Sequence, residues 1–173
     1  FENGGPDAFD ELWCVLPCVY RINGRWHLYY TGRSTRPGGL QAFWGMGVAF
    51  SDDLRTWRKY EANPVLQGDG FPEWPDNRGI AGGGRILEIP SSDGAPLYRM
   101  HYTLPTGTTD PDLLVDQAKQ AVVAHSRDGL TWFDKRVVLR PRREADYENA
   151  AVIALNVWKT PRRWRALYAG IGS

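Results

Sequence analysis

Short runs in which apolar and polar positions alternate recur along the whole chain, each closed by turn residues. Cys14–Ile22 is apolar and β-branched and ends on Asn23-Gly24, a dipeptide that favours a tight hairpin. In Arg25–Gly32, Trp26, Leu28 and Tyr30 alternate with His27, Tyr29 and Thr31, the two-residue period of a strand. A third strand is predicted over Trp44–Phe50, with glycines where backbones crowd, and a fourth over Thr56–Leu66. The same order returns as Gly83–Ile89, Leu97–Thr103, Gln120–Ser126 and Thr131–Leu139. Its first two members return once more as Val152–Trp158 and Trp164–Gly170. Helical spacing competes only over Asp112–Ala121, where one turn fits.

The repetition extends to the letters. Ser51-Asp52-Asp53-Leu54-Arg55-Thr56-Trp57 and Ser126-Arg127-Asp128-Gly129-Leu130-Thr131-Trp132 share the phrase S-x-D-x-x-T-W. Trp26–Gly32 is echoed by Tyr98–Leu104 and again by Trp164–Gly170. A repeat of this length, built of short strands and tight turns, predicts an all-β propeller array made of four-stranded antiparallel blades. Residues 1–173 then form one partial propeller domain, with modules at about 10–66 and 76–140 and an incomplete one at 148–173. Asp53 and Asp128 read as turn residues that bond their own backbone, because a residue repeated in every module serves the module.

Composition narrows the partners. With 21 basic and 20 acidic residues the net charge is +1, without blocks of one sign, so neither nucleic acid nor a membrane surface is expected as partner. No apolar run approaches the ~18 residues that span a bilayer. Cys14 and Cys18 sit four apart in a strand, on one face and roughly 13 Å from each other at ~3.3 Å per residue; they read as buried free thiols. The glycines of Ala81-Gly82-Gly83-Gly84 lack the ending of a phosphate loop and read as room for close approach of inner strands. Asp110, Asp112 and Asp116 lack calcium-loop spacing. No metal or cofactor is expected.

Candidate chemistry comes from where the modules differ. The offset that carries Tyr30 onto Tyr168 also carries Asp10 onto Glu148, and the longer hairpin Ser91–Pro96 brings Asp76 near the corresponding place. Each then stands just before the innermost strand of a module. In a propeller those strands line the axis, so the three carboxylates are expected at one mouth of the channel. Carboxylates that crowd together split their pKa values into an acid and a base, the equipment of glycoside cleavage. Glu148 is the candidate acid, for its longer side chain and its apolar neighbours Ala150-Ala151-Val152; Asp10 is the candidate base or nucleophile, and Asp76, near Arg78, orients and tunes. The loops Arg33–Phe43 and Pro105–Lys119 are long and return to the same mouth. Phe43, Trp44 and Trp74 are candidate sugar platforms, and Arg33, Arg36 and Arg78 candidate polar contacts.

Taken in order, Pro17-Cys18-Val19-Tyr20, Gly24–Gly32, Gly47-Val48-Ala49-Phe50-Ser51-Asp52-Asp53-Leu54, Trp57 and Asn63-Pro64-Val65-Leu66 resemble the five-bladed β-propeller glycoside hydrolases. That group holds families 43 and 32 (arabinanases, xylosidases, fructosidases) and the mannoside phosphorylases of family 130. The resemblance covers about Asp10 to Gly170. It implies five blades, of which two and a half are present here, so the chain is expected to be part of a longer protein, inactive and prone to associate alone, with the missing blades and a carbohydrate as partners. It also implies essential carboxylates on inner strands, mapped again to Asp10, Asp76 and Glu148. Leu16 stands where family 43 often has Asp. Cleavage of glycosidic bonds is the leading expectation; phosphorolysis, or carbohydrate binding without catalysis, are the alternatives.

Overall fold

Asn23 and Gly24 take left-handed φ angles of 48° and 83°, the backbone that matches a two-residue turn to strand twist. They join β1 (Trp13–Ile22) to β2 (Arg25–Ser34). With β3 (Phe43–Ser51) and β4 (Arg58–Lys59) these form one antiparallel sheet in chain order. The computed structural model describes residues 1–34, 43–67, 82–105 and 119–172, with the backbone alone at 43, 44, 83 and 105. The second module repeats the meander as β5 (Gly82–Ile89), β6 (Leu97–Pro105), β7 (Lys119–Ser126) and β8 (Phe133–Leu139). The third supplies β9 (Ala151–Lys159) and β10 (Trp164–Ile171), touching the second sheet through one parallel pair, Lys119 with Ala151. This is the all-β partial propeller of four-stranded blades that the repeat predicts. Most of the helical candidate Asp112–Ala121 lies outside the described residues; its last three positions belong to β7.

The fourth strand of the first module is far shorter than the pattern predicts. The Asn63 side chain binds both backbone groups of Val48: its Oδ1 accepts from the Val48 amide, and its Nδ2 donates to the Val48 carbonyl, which also accepts from the Tyr60 amide, each at 2.9 Å. Pairing resumes only at Met46 with Leu66. At the Val48 amide a carboxamide thus stands in for the partner backbone, which satisfies that group without a strand.

Both copies of the repeated phrase fold as turns. The Asp53 carboxylate accepts from the amides of Arg55 and Thr56 at 2.8 Å, and Asp128 accepts from Leu130 and Thr131 at 2.8 Å. The Thr56 and Arg55 amides, with the Ser51 hydroxyl, pull the Asp53 pKa down to about 2. At Asp128 desolvation pushes upward, but the Thr131 and Leu130 amides outweigh it and hold the group low. These are capping carboxylates, committed to backbone.

Alternation along β2 decides which face meets the next module. Tyr29 is directly opposite Val48, and Thr31 opposite Met46. That face packs against Met100, Tyr102, Leu104, Val122 and Ala124 of the second module. Burial of one such Met or Leu contributes about 1.5–3 kcal/mol. Trp132 meets Tyr29 edge-on at 6.1 Å, and the Tyr29 hydroxyl donates to the Gly129 carbonyl at 2.6 Å. The Asn23 turn also reaches across, accepting from the Tyr98 hydroxyl at 3.0 Å.

Tyr29→Phe leaves the Gly129 carbonyl without its partner in a dry interface. Urea denaturation is expected to show a loss of about 1–3 kcal/mol. A loss below about 0.5 kcal/mol, under the net worth of one hydrogen bond, would mean that the interface does not exclude water there.

Candidate functional site

The chain enters the first module over the face opposite to that inter-module contact and enters the third across the equivalent strand, each time bringing a carboxylate with it. Phe9 and Asp10 cross β2 at Gly32, where a Cβ would lie 2.6 Å from the Cβ of Asp10. Tyr147 and Glu148 cross β10 at Gly170, where a Cβ would lie 2.9 Å from the Cβ of Glu148. The two glycines are separated by the same interval as the two acids. Only a residue without a side chain admits backbone so near.

Each carboxylate is then held by the tyrosine twenty residues on. The Tyr30 hydroxyl donates to Asp10 Oδ2 at 2.9 Å, and the Tyr168 hydroxyl to Glu148 Oε2 at 2.5 Å. Each also has a cation. Lys59 Nζ lies 2.6 Å from Asp10 Oδ2, and Arg142 Nε donates to Glu148 Oε1. Asp10 and Glu148 are both buried, at 2 % and 0 % exposure. Neither the lysine nor the arginine stands out in the sequence, since the two cations occupy non-equivalent positions. The matched spacing of acid and tyrosine is the readable sign.

The electrostatics reverse one expectation. Apolar neighbours in sequence predict a raised pKa for Glu148. Instead the hydrogen bond from Tyr168 is the largest influence and lowers it, and Arg142 adds to this, so the group is held below the usual glutamate range despite its burial. Its reciprocal effect pushes Tyr168 up, so that hydroxyl stays a donor. Tyr30 is likewise pushed up, by desolvation and by its bond to Asp10. Beside Asp10, desolvation and the carboxylate's charge push the Cys14 thiol up to about 11; Cys14 is a protonated donor at 3.4 Å from Asp10 Oδ2, not a nucleophile.

The second correction concerns the cysteines. Both thiols are free, but they face opposite sides of the sheet and are only half-buried. Cys14 pairs with Gly32 and Cys18 with Tyr29, because a bulge intervenes between Val15 and Cys18. A single inserted residue flips every later side chain. Leu16, inside the bulge, has φ of 54°, and Ala154, its equivalent in β9, has the same value. Register breaks in β5 between Gly82 and Arg85, and in the β9–β10 pair opposite Leu167 and Ala169. All three inner strands are thus irregular.

These irregularities border one cavity of about 330 Å³ between β1, β5 and β9. Its wall includes Leu16, Cys18 and Tyr20 from the first module, Gly82, Gly84 and Arg85 from the second, and Ile153 to Asn156 from the third. Thr103 and Lys119 complete it. The volume lies at the lower end of the ~300–1,000 Å³ range of small-molecule sites. The Tyr20 hydroxyl reaches the Gly84 carbonyl at 3.4 Å, and the crowding at Gly84 comes from the Met100 side chain of β6, which a Cβ there would meet, rather than from another inner strand. A larger cleft of about 490 Å³, between Tyr60 to Gln67 and Leu130 to Lys135, touches none of the predicted site residues.

Of the predicted residues, Asp10 and Glu148 occupy equivalent cradles rather than the described wall of this cavity. Arg33 stacks its guanidinium on the Trp13 ring at 4.4 Å. Phe43 and Trp44 begin β3, with backbone alone described. Arg36, Trp74, Asp76 and Arg78 lie outside the described residues, as do Asp110, Asp112 and Asp116. Among the described residues no three His, Cys, Asp or Glu side chains gather as a metal site. Arg85, Lys119 and Cys18 on the cavity wall escape a sequence reading, since nothing in their local pattern marks them.

Comparison with solved structures places the geometry. The chain superposes on a glycoside hydrolase with a TM-score of 0.61 and 17% identity, over 98% of this chain and 51% of that one. It matches the GH32 β-fructofuranosidase BmSUC1 of Bombyx mori with a TM-score of 0.62 and 19% identity, over 91% and 30%. It matches a β-1,2-mannobiose phosphorylase of Listeria innocua with a TM-score of 0.54 and 15% identity, over 94% and 38%. The fold is that of the propeller glycoside hydrolases. The chain spans about half the length of the first of these structures and less of the others. No protein-family model and no curated sequence matches it.

The lowered pKa of Glu148 has a measurable sign. A group lowered on folding adds stability above its unfolded value, about 4.3, and that stability is lost as pH falls through the folded value. Glu148→Gln removes this component. Urea midpoints from pH 6 downward are expected to fall less steeply for the variant than for the parent. A variant that falls more steeply would mean that Glu148 is raised, as a proton donor requires.

Proposed function

We propose that the protein acts on glycosidic bonds of an oligo- or polysaccharide, at the axial mouth where its inner strands converge. The observation that carries this reading is the cavity between β1, β5 and β9, bordered by three irregular inner strands, in a fold that glycoside-processing proteins share. Bulges beside a site re-aim side chains, and the axis is the one place where three modules contribute together.

On this reading the roles of the three acids shift. Glu148, held low by Tyr168 and Arg142, serves as a charge or a base and not as the acid. Asp10, facing Lys59, keeps the role of base or nucleophile. Proton delivery to the leaving oxygen then falls to Asp76, the remaining member of the set. Hydrolysis is the first reading. Phosphorolysis is the second, favoured by the two cations, Arg85 and Lys119, on the cavity wall.

The test uses the longest natural form of the protein and a panel of aryl glycosides and oligosaccharides, with and without inorganic phosphate. Asp76→Asn is expected to lose ~10²-fold or more in turnover with an unchanged melting temperature. Glu148→Gln and Asp10→Asn are expected to lose melting temperature together with activity. If Glu148→Gln abolishes turnover while melting stays unchanged, Glu148 is the chemical group and its cradle is secondary. If no member of the panel is bound or turned over, the enzyme reading falls.

A further inference from the structure

Among its described residues, the wall of the axial cavity carries charge of one sign. Arg85 and Lys119 both line it, and among the described residues of its wall there is no Asp or Glu. Neither cation forms an ion pair with a described carboxylate. Elsewhere Arg25, Arg58, Lys59, Arg127 and Arg142 face acids.

Both cations are fixed at their backbones. Arg85 is where the β5–β6 register resumes after the bulge, paired with His101. Lys119 pairs with Pro105 across β6–β7 and with Ala151 across to β9, so it sits where the second and third modules meet. Neutral polar groups complete the wall: Tyr20, Thr103 and Asn156. The field of Arg85 reaches this wall, since its charge opposes the upward push that desolvation gives to Cys18 and Tyr20. A concave, part-apolar wall focuses such a field and raises the local concentration of anions.

We infer that Arg85 and Lys119 hold an oxyanion in the axial cavity, supplied either by the carboxylate of an acidic sugar or by phosphate. Guanidinium presents two parallel donors to a planar or tetrahedral oxyanion, and the ammonium adds a point charge. The choice of an acidic sugar rests on the carbohydrate reading above; oxyanion binding itself does not.

The experiment is calorimetric titration of the longest natural form of the protein with galacturonate, inorganic phosphate and neutral galactose at low ionic strength. Arg85→Gln, Lys119→Gln and the charge-keeping Arg85→Lys are compared, each checked by thermal melting. At least one anion is expected to bind about tenfold or more tightly than galactose, with binding weakened by salt. Arg85→Gln and Lys119→Gln are each expected to lose about tenfold or more, the loss of a charged hydrogen bond, while melting stays unchanged and Arg85→Lys recovers part of the affinity. Preference for galacturonate assigns the anion to the sugar, and preference for phosphate assigns it to the co-substrate. If galactose binds as tightly as both anions, or if neither Gln variant loses affinity, the oxyanion site is wrong while the carbohydrate reading stands. If no sugar binds but phosphate does, the carbohydrate reading fails and the oxyanion site remains. If Arg85→Gln unfolds, Lys119→Gln and Arg85→Lys still decide.

Discussion

A carboxylate that enters a protein face without partners is expelled or neutralised, and this constraint organises how the chain enters its modules. At Asp10 and again at Glu148 the lead-in segment crosses a glycine, and the carboxylate is taken up by a tyrosine hydroxyl and a cation. The strand-two tyrosine pair of the first module thereby faces both ways. Tyr29 bonds the second module at Gly129, and Tyr30 bonds the lead-in at Asp10. A loss of either bond loosens the blade from one of its neighbours in sequence. A charged hydrogen bond such as that from Tyr30 to Asp10 contributes about 1.5–3 kcal/mol, a sizeable part of a typical ~5–15 kcal/mol stability.

That arrangement changes how the acids are read. By sequence, Asp53 and Asp128 are structural because they repeat, whereas Asp10 and Glu148 are chemical because they sit before inner strands. Their environments show that Asp10 and Glu148 repeat as well, down to the spacing of acid, tyrosine and glycine. Chemistry in a propeller needs asymmetry between blades. One asymmetric feature among the described residues is at the axis: Arg85 and Lys119, with no described acids beside them.

Strands and turns are legible in the sequence because their physics is local. Asn23-Gly24 announces its hairpin, and S-x-D-x-x-T-W announces a turn whose amides fall on the aspartate. Beyond the short β4 a side chain, Asn63, takes the Val48 amide in place of backbone, and no periodicity reports that. Cys14 and Cys18 share a face only in an unbroken strand, and the bulge at Leu16 leaves no mark in composition. The pKa of Glu148 runs against its local sequence for a related reason. Its neighbours along the chain are apolar, but its partners in space, Tyr168 and Arg142, stand twenty residues after and six before it. The cavity wall draws on three inner strands at once and cannot be assembled from any single one.

The central claim is that the strand-two tyrosine and the lead-in carboxylate act as one unit. A double-mutant cycle with Asp10→Asn, Tyr30→Phe and the pair, followed by urea denaturation, tests it most directly. The predicted result is a coupling of about 1 kcal/mol or more, within the range of directly bonded neighbours. Additivity within about 0.3 kcal/mol, as for independent sites, would contradict it, and would mean that the carboxylate is held without the tyrosine, by Lys59.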